Sequence, residues 1–141
     1  MIERTLVLIK PDGVNRKLIG EVISRFEKKG FMIRAMKLMR MSKKTAQDFY
    51  SVHKGKEFFH PLVDFMMTGP IVAMILEGEE AIGIVRKMMG ELDPKKGIPG
   101  TIRGDFALSI RQNIVHGSDS PASAKREIAV LFKPQELVKY D

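Results

Sequence analysis

The chain has 141 residues, 44% of them hydrophobic and 29% charged, which predicts one globular domain over residues 1–141 and excludes a disordered protein. It has no cysteine, no apolar run long enough to cross a bilayer and no signal-peptide pattern, so disulfides and thiolate chemistry are excluded and a cytoplasmic location is expected. The net charge of +7 suits an anionic substrate or partner, although a solvated basic surface explains it equally well.

Short apolar runs alternate with helical periodicities along the first half of the chain. Residues 5–9 read as a buried strand and residues 31–39 as a second strand, and between them lies an amphipathic helix that ends at Gly30. Two further helices are predicted, over residues 42–53 and over residues 57–68.

In the second half of the chain, strand and helix patterns alternate up to residue 89 and are absent from the stretch that follows. A strand is expected over residues 71–76 and a helix over residues 79–89, with Glu79 and Glu80 in the first turn, where the helix dipole favours carboxylates. Residues 90–104 show no periodicity and predict a long loop of the kind that is often functional. A short strand over residues 106–110 and a helix over residues 120–129 follow.

The order β-α-β-(α-α)-β-α-β-α decides the predicted fold class. It suits an α+β, ferredoxin-like (βαββαβ) arrangement, a four-stranded antiparallel sheet covered by helices, with added helices and a long loop near residues 90–104. A doubly wound parallel sheet is the alternative, because periodicity alone does not distinguish the two.

Common catalytic motifs are missing from the sequence. It has no phosphate-binding glycine loop, no dinucleotide fingerprint and no nucleophile elbow. Its three histidines stand at unrelated spacings, so we expect no metal site built from protein alone. What remains is His116 in a polar stretch, and imidazole suits phosphoryl transfer because much of it is neutral and nucleophilic near neutral pH.

Such a catalyst needs cations around the moving phosphoryl group and an acceptor that orients the second ring nitrogen. Lys10, Arg86 and Arg103 are candidate cations, and Glu127 is a candidate orienting group. By spacing alone each of them is equally an ordinary surface charge, and His116 an ordinary loop residue.

Several segments are more specific than these isolated residues. They are KPDG at 10–13, FF at 58–59, TGP at 68–70, PGTIRGDF at 99–106 and NIVHGSDS at 113–120. In order and spacing they resemble the nucleoside diphosphate kinase family from residue 4 to residue 136, and the stretch around His116 is that family's signature.

The resemblance implies a fold, a reaction and partners. Members of the family have a ferredoxin-like core and run a ping-pong reaction, in which a nucleoside triphosphate, typically ATP, phosphorylates a histidine and a nucleoside diphosphate takes the group. This reaction maintains the NTP and dNTP pools. Mg²⁺ travels with the nucleotide phosphates. A homo-oligomer is implied, most commonly a hexamer, with no membrane and no nucleic acid as partner.

The resemblance also assigns catalytic positions. His116 matches the phosphorylated histidine, and Ser118 and Glu127 match the pair that is hydrogen-bonded beside it. Lys10 matches a phosphate-binding lysine, and Tyr50 matches a tyrosine next to that lysine.

Nucleotide-binding positions follow in the same way. Lys10, Arg86, Arg103 and Asn113 match residues that hold phosphates and sugar hydroxyls, and two arginines with a lysine can neutralise a triphosphate without a glycine-rich cradle. Phe58 matches the aromatic residue that stacks on the base. Because every base has a π-face, broad base tolerance is expected.

One position departs from the family pattern. Leu92 stands where the family usually has a threonine whose hydroxyl contacts phosphate, two residues before the proline matched by Pro94. A leucine donates no hydrogen bond, so phosphate binding should be weaker there by about 1 kcal/mol. Asp93 follows, and its carboxylate should repel phosphates unless it turns away or meets Mg²⁺.

Two rival functions remain open at this stage. A basic ferredoxin-like module that binds nucleic acid fits the charge, although no strand carries an RNP1 pattern of glycine and aromatic residues. An inactive homologue that serves as a scaffold is supported only by Leu92.

Overall fold

The sheet has four strands, and the computed structural model describes residues 1–140 of the chain. The strands are β1 (Ile2–Ile9), β2 (Met32–Met39), β3 (Ile71–Glu79) and β4 (Val115–Gly117), in the spatial order β2-β3-β1-β4. Every pairing between them is antiparallel. The ferredoxin-like prediction is therefore confirmed, and the parallel alternative is excluded.

Seven α-helices pack on this sheet within the described residues. They are α1 (Pro11–Asn15), α2 (Ile19–Lys28), α3 (Lys43–Phe49), α4 (Phe59–Met66), α5 (Ala81–Met89), α6 (Ile102–Phe106) and α7 (Pro121–Leu131). Single 3₁₀ turns cover Ser51–His53, Pro94–Lys96 and Pro134–Glu136. Within residues 1–140, no helix has both the length and the apolar composition needed to span a membrane.

The core lies on both faces of the sheet, which explains why the strands read as continuous apolar runs. Along β1, Leu6 and Leu8 face α3, α4 and α7, whereas Val7 and Ile9 face α2, α5 and α6. All four side chains are fully buried. Side chains alternate across a strand, so a strand covered on both faces has no polar side and shows no alternation.

Side-chain caps fix the start of three helices. Ser42 accepts a hydrogen bond from the Thr45 amide at 3.1 Å and Ser120 accepts one from the Ser123 amide at 3.1 Å. Thr101 accepts one from the Gly104 amide at 2.9 Å and starts α6. Each cap satisfies an amide that has no partner inside its own helix.

The predicted strand over residues 106–110 is wrong. Phe106 ends helix α6, and Leu108 and Ile110 are exposed in the loop that follows. The fourth strand is instead the three-residue β4, which pairs only with β1. A strand of three residues is too short to show a periodicity in the sequence. The glycine-containing stretch up to residue 106 forms a five-residue helix capped by Thr101, which its composition does not predict.

Element boundaries differ in two further places. The helix predicted over residues 42–53 ends at Phe49 and gives way to a 3₁₀ turn. The placement of Glu79 and Glu80 in the first turn of α5 is also wrong, because Glu79 ends β3 and Glu80 precedes the helix with φ +50°. The carboxylate at the start of α5 comes from Glu3 on β1, which accepts a hydrogen bond from the Ile82 amide at 3.1 Å.

Candidate active site

A single large cleft collects most of the predicted site residues. Its volume is about 940 Å³, and its walls come from the end of α3, the C-terminal end of α5, β4, α7 and the loops around them. Nine predicted residues line it: Lys10, Tyr50, Phe58, Arg86, Leu92, Arg103, Asn113, His116 and Glu127. The tenth, Ser118, is fully buried behind the wall.

His116 lies at the centre of β4, opposite Leu8 of β1. Its ring packs edge-on against Phe49 with the centroids 5.1 Å apart, and its Nε2 lies 2.8 Å from Oε1 of Glu127. A carboxylate can only accept a hydrogen bond, so Nε2 carries the proton and the lone pair of a neutral ring lies on Nδ1. Within residues 1–140 no protein group hydrogen-bonds Nδ1, which leaves it available to the cleft.

Glu127 is itself held in place by buried hydrogen bonds. Ser118 Oγ donates to the same Oε1 at 2.7 Å and accepts a hydrogen bond from the Leu6 amide at 3.2 Å. Arg126 lies 3.6 Å from the other carboxylate oxygen. The carboxylate is 5% exposed, so these contacts hold it in one orientation towards the imidazole.

Lys10 follows β1 directly and projects its amine into the cleft while being 7% exposed. Burial, and then the positive charge of Arg103, lowers the pKa of Lys10 to about 8, with Arg111 adding to the effect and Asp12 partly opposing it. A buried amine without a carboxylate partner gains most from a bound anion, because the anion restores the solvation that burial removed.

Arg103 is a second buried cation. Its guanidinium donates to three backbone carbonyls, those of Val115 at 2.9 Å, Gly90 at 3.2 Å and Asn113 at 3.3 Å. Burial and the neighbouring charge of Arg86 lower the pKa of Arg103 to about 10. Carbonyl dipoles position the guanidinium without neutralising it, so the positive charge remains available to an anionic ligand.

Arg86 is anchored in a similar way from helix α5. It donates to the carbonyl of Gly117 at 3.0 Å. Gly117 adjoins both His116 and Ser118, so this bond ties the last turn of α5 to the strand that carries the histidine. The three cations therefore reach the cleft from three different elements and converge near His116.

Asn113 and the residue after it form a strained turn at the cleft wall. The Val115 amide donates to the Asn113 carbonyl at 2.8 Å around Ile114, which has φ +74°. This γ-turn is unusual for a β-branched residue and costs on the order of 1–3 kcal/mol. The Asn113 amide nitrogen donates to Ile110 at 2.6 Å, and its buried side-chain oxygen has no partner among the described residues. That oxygen can accept a hydrogen bond from a ligand.

Aromatic side chains form the outer wall. The Phe58 ring is 44% exposed and meets His53 edge-on at 5.0 Å, with the amine of Lys56 5.7 Å from its centroid. Tyr50 is buried deeper, its hydroxyl has no partner within residues 1–140, and burial and the charge of Glu127 raise its pKa. The Tyr50 hydroxyl therefore stays protonated and can donate.

Leu92 lies on the cleft wall with 47% of its surface exposed. Its neighbour Asp93 accepts a hydrogen bond from the Lys95 amide at 3.0 Å and caps the Pro94–Lys96 turn. Asp93 is not among the residues that line the cleft, so its carboxylate adds no negative charge to the cleft lining.

Comparisons with known proteins decide the family. The sequence model described as nucleoside diphosphate kinase matches residues 3–137. The nucleoside diphosphate kinase of Staphylothermus marinus is 60% identical over 138 residues, 98% of each chain. The chain belongs to the nucleoside diphosphate kinase family. Its activity is accordingly that of a nucleoside diphosphate kinase, a phosphotransferase.

Solved structures of nucleoside diphosphate kinases agree with this fold. The Aquifex aeolicus enzyme is 42% identical and superposes with a TM-score of 0.95, covering 98% of this chain and 100% of that one. The enzyme from Halobacterium salinarum, solved in complex with CDP, is 43% identical with a TM-score of 0.96 and covers 100% and 94%.

Sequence reasoning missed several groups that line the cleft of this kinase. Phe49, His53, Arg111, Asp119 and Arg126 all face it. His53 was available as one of only three histidines, but nothing in its spacing separates it from a helix residue. Arg111 lies two residues before the signature stretch, and that proximity was its only sequence signal. Within residues 1–140 no cluster of three histidine or acidic side chains forms a metal site.

Proposed function

We propose that this kinase transfers the terminal phosphoryl group of a nucleoside triphosphate to Nδ1 of His116 and then to a nucleoside diphosphate. In the first step the Nδ1–P bond forms, the bond to the bridging oxygen breaks, and its electron pair leaves with the diphosphate. The second step reverses this on another diphosphate. The observation that carries the proposal is the contact of 2.8 Å between Nε2 of His116 and Glu127, which keeps the proton off Nδ1.

Lys10, Arg86 and Arg103 hold the phosphates in this proposal. Their charges face the same cleft as His116, so they stabilise the negative charge on the moving group and on the leaving oxygen. Tyr50 supplies a further donor in the same cleft. Positioning by fixed cations is the main contribution that a protein makes to phosphoryl transfer.

The base and sugar take the outer part of the cleft. Phe58 offers an exposed ring for stacking, and Asn113 offers its unpartnered oxygen to a sugar hydroxyl. Stacking does not read hydrogen-bond patterns, so ATP, GTP, CTP and UTP are all expected to fit. The complex of the Halobacterium salinarum relative with CDP supports a nucleotide in this cleft.

Mg²⁺ is proposed to arrive with the nucleotide. Five cations and three carboxylates line the cleft, and the Glu127 carboxylate is already occupied by His116 and Ser118. This donor set suits a metal whose ligands are mainly phosphate oxygens and water. Once bound, the metal would neutralise phosphate charge.

The decisive experiment is phosphoenzyme formation. Purified protein is incubated with γ-labelled ATP and Mg²⁺, resolved on an alkaline gel and then exposed to unlabelled GDP. We expect acid-labile label that is absent in His116→Ala and is chased into GTP, whereas His60→Ala, outside the cleft, should label normally. Absence of label on the wild-type protein would reject the proposal. Salt-sensitive nucleic-acid binding in its place would favour the rival module.

The assembly is proposed to be a homo-hexamer in the cytoplasm. Strand β2 lies at the edge of the sheet with Met32, Met36 and Leu38 exposed, and Ile98 is exposed in the long loop. Unpaired edges and exposed apolar side chains of this kind favour contact between copies of the chain.

A further inference from the structure

Arg111 lies in a loop whose backbone is held on both sides. The Leu108 amide donates to the Gln112 carbonyl at 3.2 Å, and the Gln112 amide donates to Ser109 Oγ at 3.0 Å. On the other side, the Asn113 side chain donates to the Ile110 carbonyl at 2.6 Å. The loop is thereby closed on itself, so the point from which the Arg111 side chain projects is well defined.

The Arg111 side chain lines the cleft and is exposed to solvent. Among residues 1–140 no carboxylate lies within ion-pair distance of it. Its charge acts on Lys10, since Arg111 is among the groups that lower the pKa of that amine. A guanidinium without an ion-pair partner, in the same cleft as the buried lysine, adds to the positive charge of the cleft lining.

The charge balance of the cleft leaves Arg111 without a partner inside the protein. Five cations line the cleft, Lys10, Arg86, Arg103, Arg111 and Arg126, against the carboxylates of Glu91, Asp119 and Glu127. Glu127 is engaged by His116, Ser118 and Arg126. A hydrogen bond with Ser123, together with the charge of Arg86, lowers the pKa of the Asp119 carboxyl. The excess positive charge is complementary to a polyphosphate.

We propose that Arg111 is an additional substrate-binding residue of this kinase that contacts the phosphates of the nucleoside diphosphate acceptor. The inference rests on the proposed function, because it takes this cleft to be the nucleotide site. A guanidinium can reach phosphate oxygens with two parallel donors, whereas Leu92, which also lines the cleft, donates nothing. Arg111 thus supplies charge in a cleft where one phosphate donor is missing.

Calorimetric binding of ADP to the unphosphorylated protein tests the inference without turnover. Arg111→Gln should weaken ADP binding roughly 3- to 10-fold, as expected for one partly solvated charged hydrogen bond, and the loss should shrink as salt is added. Adenosine, which has no phosphate, should bind equally to both proteins. Arg111→Lys should retain most of the ADP affinity, and Arg40→Gln, an exposed arginine outside the cleft, should retain all of it.

Two outcomes would overturn the inference. A reference variant, Lys10→Gln, distinguishes failure of the inference from failure of the proposed function. ADP binding unchanged in Arg111→Gln, or an equal loss for adenosine, would remove the phosphate contact. If Lys10→Gln weakens ADP binding while Arg111→Gln does not, only the inference about Arg111 fails. If neither variant changes ADP binding, the cleft is not the nucleotide site, and both proposals fail.

Discussion

Glu127 shows how much of the site depends on single atoms. One carboxylate oxygen accepts hydrogen bonds from His116 Nε2 at 2.8 Å and from Ser118 Oγ at 2.7 Å. The serine is fully buried and also bonded to the Leu6 backbone, so it holds that oxygen against rotation. The position of the histidine proton is thus set by a chain of bonds that begins at the backbone of the central strand β1.

The depressed pKa of Lys10, about 8, predicts a pH dependence of nucleotide binding. In the free enzyme the amine is charged below about pH 8 and loses its charge as pH rises, so KM for ADP should increase through pH 8–9.5. Nucleotide phosphates, with a last pKa of about 6, are already fully ionised there. Steady-state KM measured across this range provides the check.

Lys10→Arg is the matched control for that dependence. Arginine stays protonated throughout the range, so the rise in KM should disappear even if the absolute KM is changed by the different side-chain shape. A wild-type KM that stays flat up to pH 9.5, or a rise that persists in Lys10→Arg, would show that another group is responsible.

Leu92→Thr should strengthen nucleotide binding. The side chain is half exposed on the cleft wall, so a hydroxyl can be introduced there without burying it unsatisfied. One added hydrogen bond to phosphate is worth about 1 kcal/mol, which lowers KM roughly 5-fold. Leu92→Val, which shortens the side chain without a hydroxyl, is the control, and an unchanged or higher KM in Leu92→Thr would contradict the prediction.

At the scale of elements, helix α6 connects the long loop to the site. Asp105 accepts a hydrogen bond from the Gly100 amide at 2.9 Å and bonds to Arg25 of α2 at 2.7 Å. Arg103, in the same short helix, is thereby placed against the backbone of β4. A five-residue helix has little stability of its own, so these contacts and the Thr101 cap hold it.

Gly104→Ala should destabilise the protein through this helix. A methyl group at Gly104 would lie 2.0 Å from the Ile98 carbonyl oxygen, and backbone atoms cannot move aside easily. We expect a loss of roughly 2–3 kcal/mol in the free energy of unfolding and, because Arg103 adjoins the site of the clash, a lower kcat. Urea denaturation and steady-state kinetics measure both.

Gly83→Ala provides the opposite control within helix α5. No atom lies within 4 Å of a methyl group placed there, and the position is exposed. Alanine should stabilise the helix by about 0.5–1 kcal/mol and leave activity unchanged. A destabilisation by Gly83→Ala equal to that of Gly104→Ala would refute the steric argument.

At the scale of the whole molecule, the unpaired edge of the sheet predicts assembly. Strand β2 pairs only with β3, and Leu38 exposes 65% of its surface on that edge. Leu38→Lys should shift the molar mass from the proposed six copies of 15.9 kDa to a smaller species, because a charge opposes edge pairing. Light scattering after size exclusion measures the mass.

Ala122→Lys adds the same charge at an exposed position on α7 and should leave the assembly intact. If the wild-type protein is a monomer at micromolar concentration, or if Leu38→Lys does not change the mass, the edge of β2 is not an interface. Circular dichroism of Leu38→Lys would show whether the fold itself is retained.

The sequence by itself determined the fold class, most elements and the family. The strands at residues 5–9 and 71–76 are covered on both faces, so each leaves an uninterrupted apolar run that can be read without a structure. The residues that match the family signature were identifiable for a different reason. Their types and spacing are specific to the family, although they follow no periodicity of a helix or strand.

Only the tertiary structure decided how distant parts of the chain meet. Glu3 rather than Glu80 bonds to the start of α5, the fourth strand lies at residues 115–117, and Arg111 lines the same cleft as Lys10. These features depend on contacts between residues about 60 to 110 positions apart, as in the antiparallel pairing of β1 with β3 and β4. Local propensity carries no information about such partners, because their energy arises only when the sheet has formed.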